Sequence, residues 1–212
     1  MKYISIILVL FTLYSCSNDD YLIDGGLANP NIGKSTYDFL KSHKQLDTLA
    51  LLIEKAGMID VVNAKSTTLF APNNLSIKNY IYYMRLVEEN QDYGINDIPV
   101  EDLKFILGGY IFDQSLDRSK LVREGKIYVA HNGEERLLSL IPVDQYGDQL
   151  DQFPEYVVYS FKGEDDHWGA NPDEDGNNDD VNTVVRTSNL ISTNGVIHVL
   201  QGSHSFSNYI DN

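Results

Sequence analysis

TTLFAPNNLSI, residues Thr67 to Ile77, is the stretch from which the rest of the chain can be read. Thr67, Thr68, Leu69 and Phe70 are β-branched, aliphatic or aromatic, the side chains that suit a half-buried pleated strand. Ala71 and Pro72 stop that run, because proline has no N–H to give to a ladder. The asparagines behind it can cap a helix, and Ile77, Tyr80, Ile81 and Met84 then recur at helical spacing in a tyrosine-rich segment running toward Glu89. The stretch therefore predicts a strand that hands over to a helix within a few residues.

Upstream, Ser35 or Thr36 can cap a helix over TYDFLKSHKQLDTLALLIEKAG, whose Leu49, Leu52, Ile53 and Ala56 form one buried stripe before Gly57 ends it. Downstream, IPVEDLKFILGG predicts a third helix. Pro99 suits its first turn, Glu101 and Asp102 suit the positive end of its dipole, Leu103, Ile106 and Leu107 are its apolar set, and Gly108-Gly109 stop it. After Tyr110 the pattern turns to β. KIYVAHNGEERLLSLIPV carries Asn132-Gly133, a strong hairpin signal, and EYVVYSF, TVVRTSNLI and NGVIHVL read as further strands. Helices first and strands afterwards predict an α+β domain with helices over one side or edge of a β layer.

Two of these segments resemble the conserved motifs of fasciclin domains. TTLFAPNNLSI looks like the first, a strand ending in Phe-Ala-Pro with an Asn opening a helix, and TNGVIHVL (Thr193 to Leu200) looks like the second. The opening STYDFLKSHKQLDTLALLIEKAGMIDVVN is similar to the first helices of that family, so the resemblance spans most of residues 33–212. It implies an α+β fold with a β-wedge of two small β-sheets flanked by N-terminal helices. It also implies a role in adhesion or extracellular binding, and no catalytic residues. The motif residues have structural explanations: Phe70 packs, Pro72 ends the strand, Asn73 opens the helix, Gly195 permits a turn, and Val196, Ile197 and Val199 build a sheet. His198 reads as a satisfied core histidine, with ligand or general base as the other reading. Animal members used in integrin adhesion carry Tyr-His after the third helix, whereas this chain has Tyr110-Ile111, so that mechanism does not carry over. The region from Pro142 to Asn182 is also longer and more acidic than a compact fasciclin domain needs.

The amino terminus has its own pattern. Lys2 precedes YISIILVLFTL, an apolar run shorter than the roughly 20 residues of a bilayer span, which reads as a secretion signal. It leads into Leu13-Tyr14-Ser15-Cys16, which resembles the bacterial lipobox, where the cysteine is acylated and becomes the first residue after cleavage. Cys16 is the only cysteine of the 212 residues, so an intramolecular disulfide is excluded, and Asp19 and Asp20 would raise rather than lower its thiol pKa. Several acyl chains would hold the protein stably on a membrane. SNDD after the cysteine resembles the acidic export tag of surface lipoproteins, though a solvated tether would look the same. The expected organisation is a signal peptide over 1–15, a lipid-anchored tether over 16–33, and a single fasciclin-like domain over 34–212 with an acidic insertion at about 144–182, displayed on the outer membrane at the cell surface.

A formal net charge of −15 disfavours nucleic acid as a partner, because such a chain repels phosphate. Extracellular protein or glycan is the expected partner instead. Enzyme signatures are missing from the sequence: there is no Gly-x-Ser-x-Gly elbow, no phosphate-binding glycine loop and no His-Glu-x-x-His pair. No cofactor is required by these motifs. In NPDEDGNNDD, however, Asn171, Asp173, Asp175, Asn177 and Asp179 alternate around Gly176, as the oxygen ligands of a calcium loop do. A solvated acidic loop explains the same residues. Trp168, beside Asp165, Asp166 and His167, suits stacking on a sugar with carboxylates for its hydroxyls, making it a candidate glycan contact.

Overall fold

The computed structural model describes residues 29–142, 154–163, 168 and 180–208. Three short helices open the domain: α1 (Thr36–Ser42), α2 (Asp47–Lys55) and α3 (Ile59–Val62). Ser35 caps α1, its Oγ accepting from the Asp38 N–H at 3.1 Å. The single helix predicted over residues 36–57 is instead two, broken between His43 and Leu46. The cause is a distant residue. The Asn74 N–H donates to Gln45 O at 2.9 Å, its Nδ2 donates to Lys44 O at 3.1 Å, and its Oδ1 accepts from the Thr48 N–H at 3.2 Å. Leu46 offers no side chain to cap α2, so Asn74 satisfies that helix end from outside.

Strand β1 (Thr67–Ala71) is buried along its whole length, and α4 (Asn74–Val87) follows it across Pro72. Asn73 caps α4, its Oδ1 accepting from the N–H groups of Leu75 and Ser76. Asn73→Ala is expected to cost about 1 kcal/mol, read as a lower urea midpoint with an unchanged slope. Helix α5 (Val100–Gly108) then leads into the short β2 (Ile111–Phe112).

The remaining strands are β3 (Lys126–Val129), β4 (Glu135–Pro142), β5 (Glu155–Phe161), β6 (Val181–Ile191) and β7 (Gly195–Leu200). The β3–β4 hairpin forms at the expected Asn132-Gly133, with Gly133 at φ +88° and the Ala130 N–H donating to Glu134 O. The resemblance implies a wedge of two small sheets; in the structure all seven strands hydrogen-bond in one continuous order, β2-β1-β7-β6-β5-β4-β3. The reason lies in β6. Its first residues pair with β5 and its later residues with β7, across two register shifts that bend it, so one strand belongs to both halves. The sheet curls until its edges approach: the His131 N–H, just past β3, donates to Ile111 O of β2, and Tyr128 meets Phe112 edge to face. The arrangement is barrel-like.

The stretch 144–182 contains β5, whose Val157, Val158, Tyr159 and Phe161 are buried. The core runs from Leu40, Leu49, Leu52 and Ile53 of the helices through Phe70 and Ile197 to Tyr159.

Candidate functional site

The two motif strands lie side by side. β1 and β7 pair in parallel, Thr67 opposite Gly195 and Phe70 opposite His198, which sequence separation had concealed. Phe70 is fully buried, stacked on His198 with ring centroids 4.8 Å apart and packed against Tyr159 and Phe112. Gly195 does not sit at a turn with positive φ; it is needed for close approach, since a Cβ there would lie 1.9 Å from Thr67 O. The neighbouring Asn194, missed by the sequence reading, ties the elements together. Its Oδ1 accepts from the Thr36 N–H at 2.8 Å, its Nδ2 donates to Val62 O at 3.0 Å, and its carbonyl accepts from the Ser66 N–H at 2.7 Å.

His198 is buried with both ring nitrogens engaged. Nε2 lies 2.8 Å from Leu116 O, an acceptor only, so Nε2 carries the proton and Nδ1 accepts from the Asn189 N–H at 3.4 Å. Asn189 has φ +66° inside the irregular part of β6, the conformation that turns this N–H inward. Burial pushes the His198 pKa down to about 4. A second buried histidine, His204, meets Tyr110 Oη at 2.7 Å and Thr183 Oγ1 at 3.0 Å, and burial pushes its pKa down to about 3. Both imidazoles are neutral parts of the packing at neutral pH.

The polar concavity lies elsewhere, between α5 and the β4–β5 strands. It encloses about 400 Å³ and is lined by Phe105, Ile106, Glu134, Glu135, Arg136 and Lys162. Arg136 is only 5% exposed. Its Nε donates to Tyr159 Oη at 2.9 Å, Nη1 to Glu135 O at 2.7 Å and Nη2 to Glu134 Oε2 at 2.5 Å, while its guanidinium lies over the Phe161 ring at 4.3 Å. Burial opposes the charge, but Tyr159 and Glu134 outweigh it and hold the guanidinium pKa up. Tyr159 in turn donates to Gly109 O at 2.6 Å. A Cβ on Gly109 would stand 2.7 Å from Arg136 Nη2, so a larger residue there would have to push the guanidinium out of this arrangement. One signal for this site was present in the sequence: strand alternation sets Arg136 on the face of the buried Leu138.

Trp168 is partly exposed, and its Nε1 faces Glu135 Oε2 at 3.4 Å, which sets it beside that cleft. Cys16 and the candidate calcium ligands Asn171, Asp173, Asp175, Asn177 and Asp179 lie outside the described residues. Among the described residues no group of His, Cys, Asp or Glu is arranged to hold a metal ion.

No family model matches this chain, and no curated protein matches it. Among solved structures, a FAS1 domain pair from the insect cell adhesion molecule fasciclin I is similar over 74% of this chain, at 14% identity and a TM-score of 0.47. The chain spans 44% of the length of that structure.

Proposed function

We propose that this protein is a fasciclin-type domain, held by lipid on Cys16 at the outer face of an outer membrane, whose work is adhesion by binding an extracellular protein or glycan, without catalysis. The observation that carries the fasciclin assignment is the parallel pairing of β1 with β7. The motif residues complete one another there: Phe70 stacks on His198, and Gly195 admits the backbone of Thr67. Residues that serve each other's packing are architectural, and this leaves binding to the surface around them. The anchor rests on LYSC at residues 13–16 and the acidic residues that follow. A tethered domain acts at high local concentration, so weak contacts repeated over a cell surface suffice for adhesion.

Cells displaying the full chain are expected to be retained on a matrix or on neighbouring cells, and Cys16→Ala is expected to release the protein from the membrane fraction and abolish retention. Equal retention of cells lacking the protein would overturn adhesion. Turnover of a host or plant glycan by the purified chain would overturn the non-catalytic part. A second reading, an accessory glycan-binding lipoprotein of a polysaccharide-uptake system, is favoured by Trp168 standing beside the cleft at Glu135.

A further inference from the structure

We infer that the cleft between α5 and the β4–β5 strands is a saccharide site that takes an uncharged pyranose, a deeper form of the glycan reading above and resting on it.

Charge narrows the ligand first. Among the described lining residues Arg136 is ion-paired with Glu134, and Lys162 and Glu135 add one formal charge of each sign, so the formal charges of the described lining cancel within a chain of net charge −15. A phosphate or sulfate would meet two carboxylates, and a cationic ligand would meet a guanidinium and an ammonium. What fits is a neutral molecule able to donate and accept at close spacing, as the hydroxyls of a sugar do.

The hydrogen bonds of Arg136 point the same way. A guanidinium has five N–H groups. Three have protein acceptors in Tyr159, Glu135 and Glu134, and the other two have none among the described residues. Donors on a side chain this deeply buried are costly when unpaired, and a ligand hydroxyl oxygen at the cleft floor would satisfy them. The side chain is already held by those three bonds, by Phe161 beneath it and by the bare Gly109 backbone beside it, so little ordering is left for the moment of binding.

Shape and apolar surface complete the fit. A sugar ring has a C–H face that packs on an aromatic side chain, and Phe105 stands at the cleft wall with 54% of its surface exposed. The volume of about 400 Å³ falls within the about 300–1,000 Å³ of small-ligand clefts and suits a monosaccharide or disaccharide unit of a longer chain.

The test uses the single tryptophan of the sequence, Trp168, as reporter. The full chain, purified in detergent, is titrated with neutral oligosaccharides built from glucose, galactose, mannose and N-acetylglucosamine, with glucuronic acid, a sulfated glycan and an acidic peptide as comparison arms. Tryptophan emission and calorimetric heat are followed together. The expected result is saturable binding of a neutral glycan, weakened at least about tenfold, or about 1.4 kcal/mol, in both Phe105→Ala and Glu135→Gln while their melting temperatures stay at the wild-type value. Phe105 is exposed and Glu135 makes no core contact through its carboxylate, so both variants are expected to fold. Absence of saturable binding to every neutral glycan, binding unchanged in both variants, or binding confined to the charged arms would each overturn the proposal. Cell retention separates it from the adhesion reading: a chain that binds no glycan yet retains cells overturns the cleft alone, and a chain that binds glycan here but retains nothing upholds the cleft and overturns adhesion.

Discussion

A Gly195→Ala chain is expected to lose its cooperative unfolding transition, or to be at least about 4 kcal/mol less stable than wild type. The added Cβ would stand 1.9 Å from Thr67 O and 2.9 Å from Thr67 C, far inside the roughly 3.5 Å of ordinary carbon contact. The obstacle is backbone, which cannot rotate away as a side chain could. Relief requires β1 to draw back from β7, and that opens the parallel ladder from Thr67–Gly195 to Ala71–Val199 inside the sheet. It also drags on the Asn194 bonds that hold α1 and α3. Gly133→Ala is the useful contrast: it too is strained, by φ +88°, but nothing lies within 4 Å of its Cβ, so its cost is confined to about 1–2 kcal/mol of backbone strain. Urea unfolding followed by circular dichroism ranks the two. Equal midpoints for Gly195→Ala and wild type would mean that β1 and β7 do not lie this close.

The second large effect is acid lability at a pH where most carboxylates are still ionised. Burial lowers the pKa of His198 to about 4 and of His204 to about 3, whereas an unfolded histidine titrates near 6.5. As pH falls through 6.5 the unfolded chain takes up these protons and the folded chain does not. Stability therefore falls with falling pH, and it continues to fall until the folded pKa values are reached. From pH 7 to pH 5 the loss is about 2 kcal/mol per histidine, roughly 3–4 kcal/mol in all, which is a large share of a typical domain's 5–15 kcal/mol. Chemical denaturation at half-unit pH steps measures it. A His204→Gln chain, with an amide that can still reach toward Tyr110 or Thr183, is expected to be less stable at pH 7 but to show about half the pH slope between 6.5 and 5. A wild-type stability that is flat over that interval would show that these imidazoles are not buried neutral.

Local chemistry made much of the architecture legible. Asn73 caps α4 because its side chain reaches the N–H groups two and three residues on, and Asn132-Gly133 makes the hairpin because glycine accepts positive φ. Both causes act within a few residues and can be seen in a string of letters. The break between α1 and α2 cannot, because Asn74 imposes it from across the fold. His204 was similarly invisible: nothing near it in sequence announces the Tyr110 and Thr183 that enclose it. Of the candidate binding residues, Trp168 stood out as a lone tryptophan among acids. Arg136, Glu134 and Phe105 did not, since each looks ordinary beside its own neighbours and becomes a cleft only when α5 and β4 meet.

Residue order alone was enough for the α+β class, the strand-to-helix handover at Pro72, and the two motif strands, because propensity, capping and periodicity are short-range properties of the chain. It could not say that Phe70 pairs with His198, that Gly195 is needed for close approach rather than for a turn, or that β6 joins both halves into one curled sheet. Those outcomes depend on which distant backbones approach and how nearly they touch. That distance is set by the packing of the whole core, and no stretch of the sequence carries it.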